Sequence, residues 1–353
     1  MIFSGANIHE LLAGTRDVRA TNHLNPIASI TLYAMALTRS LQGLGLNTVS
    51  FHVAKVKNYA KDLGVLRAVN DDAAIAKLAP FNDKTVVLKK DHSTAIGLSV
   101  IACKDRNKAI SSADVIMSKL IPNVDNRQKL VGLNNAISES LQNVYDHTEF
   151  RSAAIAFQRA KTQPEFGELQ RLEGWGELNR FALFSPGTTL AQSIHLGQQK
   201  PTTFSDSDAA YVSVLPGVSA RSFFANGKFG SKGESEINSG LGLFLMMRLG
   251  ARLGRFTLIS GKACFRAEGT DTPTMVTFDS SINGVIISIE ALSSLSSNSK
   301  TQLLCKQIAS ECDVFFQRNL AALKGQAVSV VAKSAPKLLQ EYLENEKSEY
   351  GVI

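Results

Sequence analysis

Asn135-Ala136-Ile137-Ser138-Glu139-Ser140-Leu141-Gln142-Asn143-Val144-Tyr145-Asp146-His147 carries two patterns at once. Asn135, Glu139, Asn143 and His147 recur at every fourth residue, a spacing that sets them in one row along an α-helix. Leu130, Leu133, Ile137, Leu141 and Val144 follow helical spacing on another face, about 140° round the axis at roughly 100° per residue. The stretch therefore reads as a helix with one packing face and one face offering a carboxylate, two amides and an imidazole, and Asp125 is placed to cap it. A solvated surface is the ordinary explanation of such a row. The chemical one is a hydrated Mg2+ ion, which takes oxygen ligands, retains several waters and binds beside phosphates. Asn143 would then supply a ligand oxygen and Glu139 would orient or deprotonate water. His147 equally suits a hydrogen bond at the helix end, where the dipole favours it, and neither it nor Asn135 is assigned a catalytic role.

Further along, Ser239-Gly240-Leu241-Gly242-Leu243-Phe244-Leu245 follows a Gly-, Ser- and Lys-rich segment and opens a second helix, Leu241 to Leu253. The first amides of such a helix have no partner within it and face outward, a ready site for an anion. Glycines let the backbone approach phosphate closely, and Lys228 and Lys232 in the preceding loop add positive charge. The stretch lacks the third glycine and the preceding strand of a dinucleotide fingerprint, and it is not a G-x-x-x-x-G-K-[ST] loop. Alone, a tight turn explains it as well.

Taken in order, the E-x-x-x-N helix, the strands and loop after it, the G-L-G-L turn with its helix, and the strand ending Leu258-Ile259-Ser260-Gly261 resemble the GHKL superfamily. This is the Bergerat ATP-binding fold of histidine kinases, gyrase and anti-sigma-factor kinases. The resemblance spans about residues 125 to 292 and implies ATP with Mg2+ as cofactors. It implies that Glu139 stands at the general base, Asn143 at the metal-ligating asparagine, and Gly240, Leu241, Gly242 and Leu243 at the glycine box beside the phosphates. Residues 226 to 239 take the place of the lid. The family's D-x-G-x-G box, whose aspartate reads the adenine amine, corresponds here to Ser185-Pro186-Gly187-Thr188-Thr189. Gly187 is kept, Ser185 replaces the aspartate and Thr189 the second glycine. Gly284-Val285 stands where a G-T pair also contacts the base. A hydrogen bond to a charged group is worth roughly 1.5–3 kcal/mol against about 0.5–1.5 for a neutral one, so serine in place of aspartate is expected to weaken adenine recognition about tenfold without abolishing binding. Asp206 or Asp208 is the alternative source of the missing carboxylate.

The rest of the chain fits around this segment. Its 353 residues suffice for two domains. The expected division is a small α/β domain at 1–110, a linker helix at 111–124, the nucleotide-binding unit at 125–292 and a helical tail at 293–353. The first region alternates a helix opened by Pro26 and running to Leu41 with strands near Thr48–Val53, Thr85–Lys89 and Ile96–Ala102. Its Asn25-Pro26 helix entry and Leu63-Gly64-Val65-Leu66 segment are similar to STAS-like domains, frequent partners of GHKL ATPases. Strands are expected at Ala153–Ala160, Phe181–Phe184, Arg255–Ser260, Cys264–Ala267, Met275–Phe278 and Gly284–Ile289. In the tail, Leu304, Ile308, Cys312, Phe315 and Phe316 form an apolar stripe, and Pro336 is expected to open a last helix running to about Lys347. The tail is expected to dock on the preceding unit, with an oligomer interface as the alternative. The whole is an α/β chain of α+β sandwich type: a Bergerat-type mixed sheet with helices on one face, preceded by the small domain and followed by the tail.

Composition narrows the function classes. A hydrophobic share of 44% with 20% charged residues suits a folded globular protein rather than a disordered one. No run reaches the 18 or so apolar residues that span a bilayer, and the N-terminus lacks a signal peptide's basic and apolar regions, so a cytoplasmic location without membrane contact is expected. Cys103, Cys264, Cys305 and Cys312 show no C-x-x-C spacing, which argues against a zinc site or a disulfide framework. The net charge of +7 permits contact with anionic ligands or nucleic acid, but no nucleic-acid-binding motif accompanies it. The leading expectation is a nucleotide-binding regulator, a slow ATPase or nucleotide-gated switch, with a protein partner and a homodimer among its assemblies. A serine kinase of the anti-sigma-factor type acting on a STAS-like partner and a scaffold with a degenerate nucleotide site are the alternatives.

Overall fold

The computed structural model describes residues 17–20, 25–42, 48–51, 54–65, 87–90, 93–120, 131–148, 150–161, 177–196, 205–216, 242–269, 272–292 and 326–350, with a few isolated positions besides. In chain order these form β1 (Asp17–Ala20), α1 (Pro26–Leu41), β2 (Thr48–Phe51), α2 (Ala54–Asp62), β3 (Val87–Lys90), β4 (Ser93–Ala102), α3 (Arg106–Leu120) and α4 (Val131–His147). There follow β5 (Ser152–Lys161), β6 (Glu177–Pro186), α5 (Leu190–Leu196), α6 (Asp206–Ser213), α7 (Gly242–Leu253), β7 (Gly254–Glu268), β8 (Thr274–Leu292) and α8 (Val328–Tyr350). The chain is thus an α+β protein. Six strands make one sheet in the order β3-β4-β5-β6-β8-β7, while β1 and β2 pair in parallel apart from it.

Every pairing in the six-stranded sheet is antiparallel, so the sheet is not mixed as expected. Helices also cover both faces rather than one. The reason is written in β6, where Phe181-Ala182-Leu183-Phe184 is apolar without alternation, the mark of a strand buried on both sides. Phe181 and Leu183 join the larger core with side chains of α3, α4, α6, α7 and α8. Ala182 and Phe184 join a second core beneath α1. α1 is buried from Pro26 to Thr38, as befits a helix apolar all round. Its start is fixed locally: Asn25 caps it, its Oδ1 accepting from the Ala28 N–H at 3.0 Å, and proline occupies the first helical position.

The sheet also runs through the expected boundary at 105–125. β4, from the first 110 residues, pairs with β5 from Thr94↔Arg159 to Ala102↔Ser152. Strands from the two expected units therefore share one ladder. The tail is docked: Val331, Ala332, Ala335, Leu339, Tyr342 and Leu343 of α8 and Ile308 before it are buried in the larger core. Pro336 lies inside α8 rather than opening it. A proline there removes one helical hydrogen bond, and the buried face of Ala335, Leu339 and Tyr342 on either side of it offsets that loss. Asp125, the expected cap of α4, lies outside the described residues.

Across four strands on the α1 side of the sheet, Gln158, Arg180, Glu290 and Arg255 stand in register as one row. Arg180 Nε meets Glu290 Oε1 at 3.0 Å and Arg255 Nη1 meets Glu290 Oε2 at 3.0 Å. Arg180 Nη1 donates to Gln158 Oε1 at 3.0 Å, and Glu268 binds both Arg255 and Arg266. Burial alone would push the Glu290 carboxyl up, but the Arg255 and Arg180 guanidiniums outweigh it and hold the carboxyl below its ordinary range. No helix among the described residues is long and apolar enough to cross a membrane.

Candidate functional site

α4 and α7 lie side by side under the larger core, with buried Ser140 of α4 2.9 Å from Met246 Sδ of α7. The contact brings the start of α7 against the polar row of α4. Glu139, half-buried, rests its carboxylate on Gly242, the first residue of α7, so closely that a Cβ there would collide with Glu139 Oε1. A side chain at 242 would have to displace the end of the Glu139 side chain, which comes from another helix. The N–H groups of α7's first turn have no intrahelical partner and carry the positive end of its dipole. Helix start and carboxylate therefore meet at one point.

Burial raises the Glu139 carboxyl above its ordinary pKa; nearby Arg106 pulls it down and Asp146 pushes it up, with burial the largest cause. A carboxylate engaged only as a helix cap, accepting several N–H bonds, is held down instead. The upward shift marks a group whose charge is undercompensated, and a raised carboxylate is the stronger base. Arg106 donates from Nε to Gln142 Oε1 at 3.1 Å. It is placed by Asp105, whose Oδ1 accepts from the Asn107 and Lys108 N–H groups at the start of α3. Arg106 was not anticipated, because only the packing of α3 on α4 brings it to Glu139. Asn143, one turn after Glu139, is half-buried, and Asn135 at the other end of the row is exposed.

Gly242→Ala follows as a test of this junction. The added methyl must displace the end of the Glu139 side chain or the start of α7, and because that end can swing aside the cost is about 1 kcal/mol, the low end for overpacking. In a Glu139→Ala background the same change is expected to cost under about 0.5 kcal/mol, because the colliding oxygen is gone. A double-mutant cycle by chemical denaturation measures the coupling, and additive effects would mean that the two residues do not touch.

The second group of expected residues lies where β6 ends. Ser185 pairs with Val285 on β8, and Val285 pairs with Ser260 on β7, so the three share one row on the α4 and α7 side of the sheet. Ser260 is engaged on both sides: its hydroxyl accepts from the Leu190 N–H at 2.9 Å and donates to the Gly284 carbonyl at 3.0 Å. Ser185 Oγ is buried and has no hydrogen-bond partner among the described residues. Gly187 takes φ 108°, a left-handed region that favours glycine, and Phe150 Cε2 stands 3.0 Å from where its Cβ would be.

Thr189 has a use of its own. Its hydroxyl accepts from the Gln192 N–H at 3.2 Å while Gln192 Oε1 accepts from the Thr189 N–H at 2.9 Å. This reciprocal capping box starts α5. A glycine at 189 would forgo it. Asp206 does not fill the gap left by Ser185: its carboxylate accepts from the Lys262 N–H at 2.8 Å and packs on Gly261. Asp208 sits in the first turn of α6, its N–H bonded to the capping Ser205.

Of the residues singled out from the sequence, Glu139 and Gly242 meet at the α4–α7 junction, with Leu243 next on α7, packed against the larger core, and Asn143 one turn along α4. Ser185 and Gly187 end β6. Lys228, Lys232, Gly240, Leu241 and the expected lid at 226–239 lie outside the described residues. Among the described residues, no three His, Cys, Asp or Glu side chains cluster as a metal cage. Comparison with protein-family models, with curated proteins and with solved structures gives no match.

Proposed function

We propose that this chain binds a nucleoside triphosphate with Mg2+ at the α4–α7 junction and hydrolyses it slowly, as a nucleotide-gated regulator of GHKL type. The observation that carries the reading is the Glu139 carboxylate lying against Gly242 at the first turn of α7. It joins an undercompensated base to the helix N-terminus best suited to phosphate. The succession α4, β5, β6, a stretch holding α5 and α6, then α7, β7 and β8 follows the order of helix, strands, loop and glycine turn on which the resemblance rests, and it supports the reading without depending on Ser185.

Mg2+, held by Asn143 together with water and phosphate oxygens, would neutralise phosphate charge. Glu139 accepts a proton from the water whose oxygen bonds to the γ-phosphorus as the bond to the bridging oxygen breaks, releasing the diphosphate and inorganic phosphate. The first-turn amides of α7 lie where charge on the phosphates is to be stabilised. In this reading, nucleotide binding alters contacts with a protein partner. The parallel β1–α1–β2 unit supports an α/β reading of the N-terminal region, and a STAS-like partner, a homodimer and a cytoplasmic setting belong to the same proposal.

The test is incubation of the full-length chain with radiolabelled ATP and Mg2+. Release of labelled phosphate, lost on chelation and in Asn143→Ala, is the expected result. Label transferred to a partner serine would make the chain a kinase instead. The scaffold reading has one observation behind it, the use of Thr189 as a helix cap where the resemblance calls for a glycine; no turnover and no binding would establish it.

A further inference from the structure

α7 is gripped on two sides. Gly242 and Met246 turn toward α4, where Glu139 Oε1 crowds the first and Ser140 stands 2.9 Å from the Sδ of the second. Phe244 and Arg248 lie two residues after each, and two residues turn a helix by about 200°, so they face the other way. There they meet Tyr342 of α8. Its ring centroid stands 5.4 Å from that of Phe244, edge to face at 78°, and 5.2 Å from Arg248 Cζ. Phe244 and Arg248 are wholly buried and Tyr342 nearly so. Both contacts belong to the ring of Tyr342 rather than to its hydroxyl, and both are directional. Phe244 is the third residue of α7. Tyr342 therefore backs the same first turn that Glu139 meets, from the opposite side.

A helix held between two neighbours in a close-packed core cannot shift toward one without losing contact with the other. The tail supplies its half of this hold because Ala335, Leu339, Tyr342 and Leu343 are buried together in the larger core, at the spacing of one helix face. We propose that Tyr342, which lies outside the stretch resembling GHKL proteins, is a positioning residue of the α4–α7 site, and that the C-terminal helix thereby governs turnover there. The inference rests on the nucleotide reading above for the chemistry, though not for the contact. Without the ring, a cavity opens behind the first turn of α7. The turn can then settle away from Glu139, and misplacing reacting groups by about 1 Å costs up to about 10²-fold in rate. Detachment of α8 has the same consequence, so turnover depends on the tail staying docked.

The experiment compares Tyr342→Leu, Tyr342→Phe and Val331→Ala with the wild type, all full-length and below their melting transitions. Amide exchange is followed at residues 246–250, whose N–H groups bond the carbonyls of α7's opening turns, and ATP turnover with Mg2+ is measured per folded chain. Tyr342→Leu is expected to lose at least tenfold in exchange protection there, more than in α1, and at least tenfold in kcat, with KM within about threefold. Tyr342→Phe keeps the ring and is expected to restore both to within about threefold of the wild type. Val331→Ala weakens the same buried face about 16 Å further along α8; it is expected to lower the melting temperature and to leave kcat within about twofold. Unchanged kcat in Tyr342→Leu, no recovery in Tyr342→Phe, or an equal loss in Val331→Ala overturns the inference and leaves the nucleotide reading standing. In a wild type without turnover the nucleotide reading falls, and exchange at 246–250 alone decides whether Tyr342 positions α7: unchanged protection in Tyr342→Leu overturns that as well.

Discussion

Glu139→Gln is expected to lower Mg2+-dependent nucleotide hydrolysis by about 10²–10⁴-fold and to leave nucleotide affinity within about threefold, because a general base acts in the chemical step rather than in binding. Glutamine keeps the shape that fits against Gly242 and removes only the capacity to take a proton. The effect should also appear in the pH profile. Burial raises the Glu139 carboxyl, with Arg106 from α3 opposing and Asp146 on α4 adding to the shift. The acid limb of turnover therefore lies above the ordinary carboxylate range, and activity rises with pH through it. Stability has the opposite sign. A carboxyl harder to ionise in the folded chain than in the unfolded one destabilises the fold as pH rises from the ordinary range through the raised value. Glutamine escapes this, so the variant should melt at or above the wild type at neutral pH, by about 1–3 °C. Turnover unchanged in Glu139→Gln, measured by phosphate release, would remove Glu139 from the chemistry.

The second large effect is on the fold. Glu290→Gln is expected to destabilise the protein by about 3–5 kcal/mol, since it strips the shared counter-charge from two buried arginines, Arg180 and Arg255. Arg255 retains Glu268 and Arg180 retains Gln158. Neither replaces a carboxylate that bonded both. The melting temperature should fall by roughly 10 °C. Because the Glu290 carboxyl is held below its ordinary range in the folded chain, its contribution is fully present above the range in which the unfolded carboxyl titrates. It is lost as pH falls through that range toward the folded value. Wild type and variant should therefore converge in stability in acid. Denaturant titrations at neutral and acid pH check this; a constant difference between them would mean that Glu290 is not ionised in the fold.

How far the sequence could be read depended on where each feature takes its cause. α1 begins and ends as expected, Pro26 to Leu41, because Asn25 and Pro26 are local signals acting within one turn. β7 and β8 were each expected as two strands. They run continuously through a register shift at Gly261, beside which the Lys262 N–H donates to the carboxylate of Asp206 on α6. Pro336 signals a helix start by local rules, and burial of the residues around it overrides the signal. The pairing of β4 with β5 across the expected domain boundary leaves no local trace, although unbroken apolarity in β6 could have announced a second covered face. At the candidate site the same division holds. Spacing within α4 put Glu139 and Asn143 in one row, and the G-L-G-L stretch marked a helix opening at Leu241, one residue before α7 begins. That the carboxylate and the glycine touch, that Arg106 stands beside them, and that Ser185 Oγ finds no hydrogen-bond partner among the described residues are consequences of packing between elements distant in sequence.

Calorimetric titration of the full-length protein with ATP in the presence and absence of Mg2+ most directly tests nucleotide binding at the α4–α7 junction. Saturable binding of one nucleotide per chain, weakened at least tenfold when Mg2+ is chelated and again by Asn143→Ala, is the predicted result. No heat of binding with ATP or GTP under either condition, from a protein shown to be folded, would contradict it.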